Sequence, residues 1–235
     1  MGNTLEFRHI TKYFPGVKAL DDVSFFARSG EVLAFLGENG AGKSTLLKTL
    51  NGDYQPSSGE YLINGEEVCF KSPHEAIEAG VSVIYQERQI LLELSVAENI
   101  YLGRMPVRKL GVIDIRKANQ MAQAIINDFG LPIRPGDKVK DLSVAYQQMV
   151  EIMKAYSRDN LKVICFDEPS ASLSDSEIES LFTIIRKLRA EGKIIIYVSH
   201  RMRRPPPAQR CRAAEAPACY RRNGQALEGF TGKRG

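Results

Sequence analysis

Residues 31–52, EVLAFLGENGAGKSTLLKTLNG, join a short apolar run to a helix-forming run through a loop carrying glycines at 37, 40 and 42. Gly37 to Ser44 fits the phosphate-loop pattern G-x-x-x-x-G-K-[ST], and the flanking strand and helix supply the context that pattern requires. Glycines let the backbone wrap until its amides face inward toward phosphate oxygens, and the helix N-terminus adds about half a positive charge. Lys43 supplies a full one, and Ser44 would offer its hydroxyl to Mg²⁺. Gly37, Glu38, Asn39, Gly40, Ala41, Gly42, Lys43, Ser44 and Thr45 are therefore the candidate phosphate-binding residues.

A second chemical element follows in KVICFDEP, residues 162–169, where paired acids end an apolar strand. Ligands of α/β sheets collect beyond the carboxyl ends of strands. Asp167 would hold the metal through its shell, and Glu168 would accept a proton from an attacking water. Taken alone, the pair reads as readily as an acidic turn before Pro169; the phosphate loop in the same chain favours the chemical reading.

The remaining pattern builds a scaffold around these segments. LEFRHI and VSFFARSG read as antiparallel strands, Asn64-Gly65 as a hairpin turn, and GVSVIYQ as a buried strand ending at Gln86. From there to about Lys140 the chain reads as mainly helical, with Ser95 and Glu98 in capping-box spacing and IRKANQMAQAIINDFG apolar at every third or fourth position. The helix VAYQQMVEIMKAYS, the strand LKVICFDEP, the helix DSEIESLFTIIRKLRAEG and the strand KIIIYVSH then alternate. Alternation of this kind implies parallel pairing by crossovers, with strands buried on both faces.

At 235 residues, 43% hydrophobic and 26% charged, the chain can bury one substantial core, and its longest apolar runs are far short of a membrane span. The four cysteines lack CxxC spacing, which suggests free thiols in a reducing compartment. The net charge of +4 does not make the body basic. Residues 201–235 hold nine Lys/Arg against two Asp/Glu, leaving 23 against 26 in the first 200, so no nucleic-acid partner is expected.

The phosphate loop, DLSVAYQQMVEI and FDEPSASLSDSE together resemble the ATPase subunit of an ABC transporter, over about Leu5 to His200. KYFPGVKALDDVSF, LSVAENIYLGR and LSVAYQQMVEIMKA are similar to the branch that drives import of ribose, galactose, xylose and related sugars. The resemblance implies a P-loop NTPase core at 1–86 and 142–200 with an N-terminal antiparallel β subdomain, and an inserted helical subdomain at 87–141. It implies ATP and Mg²⁺ as ligands and hydrolysis of ATP as the reaction. Phe14 would stack on adenine, with Tyr13 a competing candidate and core packing the plain reading. Gln86 would touch Mg²⁺ or the attacking water, and His200 would bond the γ-phosphate and order Glu168.

The resemblance also implies partners: a second ATPase domain, transmembrane permease subunits and an extracytoplasmic sugar-binding protein, with this chain peripheral on the cytoplasmic face of the membrane. In the head-to-tail pair each phosphate loop would face the other unit's signature helix, here Ser143, Val144, Ala145 and Gln147. Ser143 also reads as a plain helix N-cap. Ala145 stands where the family has a glycine, and its methyl is tolerable at negative φ and costly at positive φ. A weakened contact is the expectation. The rival readings are a soluble ABC ATPase acting on ribosomes or DNA, whose DNA-repair relatives would have a long coiled coil in place of the helical subdomain, and a fragment that takes up ATP without closing around it.

After His200 the wording changes to RMRRPPPAQRCRAAEAPA, whose three consecutive prolines forbid a helix there and favour extended chain. A shifted reading frame is the leading expectation for 201–235, with a basic arm or a divergent folded ending as rivals. Importers of this branch carry two ATPase halves in one chain, and this one has room for the first.

Overall fold

The computed structural model describes residues 2–38, 40–169, 173–199 and 211–215. Two sheets organise the chain. The strands β1 (Thr4–Phe14), β2 (Val17–Arg28), β4 (Ser58–Ile63) and β5 (Glu66–Glu67) form an antiparallel sheet in the order β2-β1-β4-β5. The strands β3 (Val32–Leu36), β6 (Val81–Ile84), β7 (Val163–Asp167), β8 (Ile194–Ser199) and β9 (Cys211–Glu215) form a parallel sheet in the order β6-β7-β8-β3-β9. The helices are α1 (Lys43–Leu50), α2 (Pro73–Ala79), α3 (Val96–Ile100), α4 (Ile115–Phe129), α5 (Val144–Tyr156) and α6 (Asp175–Ala190). This is the α/β architecture expected, with an antiparallel β unit beside a parallel core.

The two-residue period of a strand explains how one sheet feeds two cores. Ile164 and Phe166 of β7, with Ile195 and Tyr197 of β8, pack into a cluster with Met149, Ile152 and Met153 of α5 and Leu181, Ile184 and Ile185 of α6. The alternating neighbours Val163 and Cys165, with Ile194, Ile196 and Val198, face Leu46, Leu47 and Leu50 of α1 and Phe7, Tyr61 and Ile63 of the antiparallel sheet. All of these strand residues are buried.

Between 87 and 141 the chain forms α3, α4 and two short 3-10 turns, and α3 packs on α4 and α5. The capping box forms as spaced: Ser95 N–H donates to the Glu98 carboxylate at 2.7 Å and Glu98 N–H to Ser95 Oγ at 3.3 Å. Two boundaries differ from expectation. The strand GVSVIYQ ends at Ile84, so Gln86 lies two residues beyond it, in a loop. Helix α2 was not foreseen, although Ser72 caps it, Pro73 opens it and Gly80 closes it at φ 97°.

Of the basic tail, Cys211–Glu215 runs parallel to β3 in register Val32↔Cys211 through Leu36↔Glu215. The proline run at 205–207 and the RRNGQALEGF segment lie outside the described residues.

Candidate phosphate and metal site

The phosphate loop leaves the end of β3 and enters α1. Gly42, the residue before Lys43, has φ 82° and ψ 2°, and a Cβ there would lie 2.5 Å from the Ala19 carbonyl oxygen. Only glycine combines that left-handed backbone with so close a neighbour. Lys43 follows with its side chain folded back over the loop, where Nζ donates to the carbonyls of Gly37 at 2.6 Å and Glu38 at 2.8 Å. Its ammonium is thus held in the loop's own curve, and the residue is buried. Ala41 is buried as well and donates to the Glu38 carbonyl at 3.2 Å, whereas Glu38, Gly40 and Ser44 are exposed and Thr45 is half-buried. Asn39 lies outside the described residues.

Gly37 N–H donates to the Ser199 carbonyl at the end of β8 at 3.4 Å, which ties the loop to the strand after which His200 follows. His200 itself lies outside the described residues. On the other side of β8, β7 delivers the two acids. Asp167 is half-buried; burial and the neighbouring Glu168 push its carboxyl above the usual range, while Lys43 pulls it down. Glu168 has φ 48°, a left-handed conformation that costs a non-glycine residue about 1–2 kcal/mol. Its N–H still donates to the Val198 carbonyl at 2.9 Å, so the neighbouring strand holds the strained residue in place.

A small cleft of about 70 Å³ opens beyond the ends of β6 and β7, and Gln86, Glu168, Val144 and Gln148 line it. The cleft brings together two residues predicted for catalysis, Gln86 and Glu168, with one predicted for the signature, Val144. Gln148 was not foreseen. Val144 and Gln148 are four residues apart on one helix face, and that spacing was available in the sequence. Tyr85, also on the cleft, donates to Asp53 Oδ2 at 2.9 Å, and burial together with that carboxylate holds its phenol well above the usual range.

The signature residues divide. Ser143 caps α5, with Tyr146 N–H donating to its Oγ at 3.4 Å, and itself donates to Glu177 at 3.2 Å. Ser143 and Val144 are exposed, whereas Ala145 and Gln147 are buried. Gln147 Nε2 donates to the carbonyls of Val139 and Leu142, each at 3.1 Å, so this side chain pins the preceding turn instead of facing outward. Ala145 sits in the first turn of α5, apart from the positive-φ positions, with its methyl in the core. Alanine at 145 therefore carries no left-handed backbone strain.

Phe14 is half-buried and meets Tyr54 edge to face with centroids 5.2 Å apart, with Lys12 Nζ 5.3 Å from the Phe14 centroid. Tyr13 is exposed, with Lys18 over its ring at 5.4 Å.

The side chains named for a metal are of a kind that suits Mg²⁺. Ser44, Gln86 and Asp167 offer hard oxygen donors, and the described residues hold no cluster of three or more His, Cys, Asp or Glu. Few protein oxygens, with the remaining positions left to phosphate and water, is the mode Mg²⁺ takes.

A family model described as ABC transporter matches residues 20–171. The arabinose import ATP-binding protein AraG of Vibrio parahaemolyticus is 52% identical over 198 residues, which is 84% of this chain and 39% of that protein. The protein of the same name from Yersinia pestis is 52% identical over 198 residues, which is 84% of this chain and 38% of that protein. The chain thus spans about two fifths of the length of the curated relatives it matches. Among solved structures, a nucleotide-free ATP-binding cassette from an ABC transporter aligns with a TM-score of 0.72 at 27% identity, covering 85% of this chain and 82% of that one. The ADP conformation of MJ1267, an ATP-binding cassette of an ABC transporter, aligns with a TM-score of 0.72 at 28% identity and the same coverage. With the matched family model running from within β2, through the phosphate loop, to just past Asp167 and Glu168, the chain belongs to the ABC transporter family.

Proposed function

We propose that the chain binds and hydrolyses ATP with Mg²⁺ and powers import of a sugar, arabinose being the sugar in the names of the relatives it matches. The observation that carries this reading is the phosphate loop itself: a left-handed Gly42 at the helix start and Lys43 folded over the loop at the end of a central parallel strand.

In this reading the loop amides and Lys43 hold the β- and γ-phosphates, and Ser44, Gln86 and Asp167 would hold Mg²⁺, which would supply neutralisation of charge on the phosphate oxygens. Glu168 orients a water in line with the γ-phosphorus and takes its proton; the water oxygen bonds to phosphorus as the bond to the ADP oxygen breaks. Such a loose transition state needs positioning and charge neutralisation more than covalent chemistry. His200 would bond the γ-phosphate and order Glu168, and Phe14 would stack on adenine. Ser143 and Val144, both exposed, meet the nucleotide of a second ATPase domain, supplied by another copy or by a second half of a longer chain.

Residues 1–86 and 142–200 form the ATPase core, and 87–141 docks on transmembrane permease subunits at the cytoplasmic face, with an extracytoplasmic sugar-binding protein on the other side. Leu91, Leu92, Leu102, Val107, Val112 and Ile113 are each exposed in that subdomain, which supports a protein partner there. No described helix is long and apolar enough to cross a membrane.

The test is magnesium-dependent ATP binding by the purified chain, with Lys43→Ala as the control, followed by sugar uptake in vesicles reconstituted with permease and binding protein. Binding that needs Mg²⁺ and disappears in the variant supports the reading. Absence of binding in the parent, or equal binding in both, overturns it.

A further inference from the structure

Glu151 is a carboxylate in the middle of α5, between Val150 and Ile152, and it is buried. One oxygen accepts the backbone N–H of Gln89, and the other has no hydrogen-bond partner. One turn further along the helix, Lys154 Nζ donates to the carbonyl of the same Gln89 at 3.3 Å. Both backbone polar groups of one loop residue are therefore held by side chains at i and i+3 of a helix that begins at Ser143. A buried charge is costly to place, and a loop with no strand or helix of its own gives the backbone no other partners there.

The held residue matters because of what precedes it. Ile84 is fixed by its pairing with Phe166 in the parallel sheet, and Gln89 is fixed by α5, so Gln86 hangs in a span of four residues between two anchors. A further anchor lies at Leu91, whose N–H donates to Asn99 Oδ1 at 2.8 Å and whose carbonyl accepts from Asn99 Nδ2 at 2.9 Å. Without the Glu151 contact the Gln89 N–H loses its partner and only the Lys154 bond to the Gln89 carbonyl holds the backbone between Ile84 and Leu91 to α5. Val144, Gln148 and Glu151 lie along one side of α5, so the helix that walls the cleft beside Gln86 also grips the loop carrying it.

We propose that Glu151 is a positioning residue for Gln86: with Lys154 it clamps the backbone of Gln89 to α5 and so sets where the Gln86 carboxamide stands across the cleft from Glu168. The last step rests on the proposed function, in which Gln86 acts on the metal or the water; the clamp stands apart from it.

The experiment is amide hydrogen exchange of segment 86–91 in the whole chain, for the parent, Glu151→Ala and Glu151→Gln, with magnesium-ATP turnover measured on the same samples. Loss of the clamp is expected to speed exchange at Gln89 and its neighbours about tenfold in Glu151→Ala, the equivalent of one hydrogen bond, while β7 and β8 keep parent rates. The same variant is expected to lose about tenfold in kcat with KM little changed, because the phosphate loop is untouched. Glu151→Gln, whose amide oxygen accepts the same N–H, is expected to keep both parent values. Unchanged exchange in Glu151→Ala, a rise shared equally with β7 and β8, or no rescue by glutamine overturns the proposal. Should Glu151→Ala not fold, Lys154→Met removes only the bond to the Gln89 carbonyl; faster exchange confined to 86–91 supports the clamp and parent-like exchange overturns it. A protected segment in a parent chain that turns over no ATP counts against the proposed function and leaves the clamp in place.

Discussion

The Lys43 ammonium lies 2.6 Å from the Gly37 carbonyl oxygen, so the residue that would carry the phosphate charge also closes the loop that would surround it. Substituting Lys43 by alanine removes two charge-assisted bonds and leaves two carbonyls to water. We expect nucleotide affinity to fall by at least about a hundredfold while the melting temperature drops by no more than about 5 °C, as one or two modest hydrogen bonds warrant. Calorimetric melting beside ATP titration separates the two effects; a collapse in melting temperature would make Lys43 a folding residue first.

Gly42 carries a different load. At φ 82°, with the Ala19 carbonyl 2.5 Å from where a Cβ would stand, Gly42→Ala must shift backbone on both sides. The expected outcome is a loss of about 2–3 kcal/mol of stability, from the left-handed penalty and the displaced neighbour, together with loss of ATP binding. Urea unfolding midpoints at constant slope check it, and a variant as stable as the parent would show that the loop is far softer than its geometry implies.

For Ala145→Gly the structure predicts no gain. The methyl is buried in the first turn of α5, so glycine there loses packing and helix propensity, about 1 kcal/mol together, and the surface presented by Ser143 and Val144 is unaltered. ATP turnover by the variant should not exceed that of the parent. Faster turnover would restore the view that the methyl obstructs a partner's nucleotide.

Stability should also depend on pH through Glu151. Burial pushes its carboxyl from 4.5 up to about 7, with the Gln89 N–H, Lys154 and Arg88 opposing that rise. The folded state therefore holds a proton between those values that the unfolded chain has released, and the contribution is present below about pH 4.5 and lost as pH rises to about 7. Urea denaturation at about pH 5 and about pH 8 should show a larger decline for the parent than for Glu151→Gln, which has no proton to lose. Parallel declines in the two proteins would place the titration elsewhere.

Periodicity and loop chemistry carried most of the fold. β7 and β8 were legible because runs such as VICFD and IIIYVS are apolar on both faces, and the phosphate loop because a glycine pattern sat between strand and helix. Helix α2 was missed because PHEAIEA is short and has one buried residue, Ala76, although its ends were marked by Ser72-Pro73 and Gly80. The site was legible as a set of residue types but not as a set of directions. Gln147 and Gln148 are adjacent in sequence, yet one turns inward to the Val139 and Leu142 carbonyls and the other lines the cleft, a difference that only the phase of α5 decides. Glu151 is illegible for the same reason: a charge in an apolar helix reads as a solvated face until the loop that covers it is in place.

The outermost strand of the parallel sheet has a bearing on everything that β3 delivers. Because Cys211–Glu215 lines its whole length, the strand feeding the phosphate loop is flanked on both sides and offers no bare ladder to a neighbouring molecule. Five residues from the stretch whose wording looked least like a folded protein thus give the strand that leads into the phosphate loop its privacy, and peeling them away would turn it into an adhesive margin.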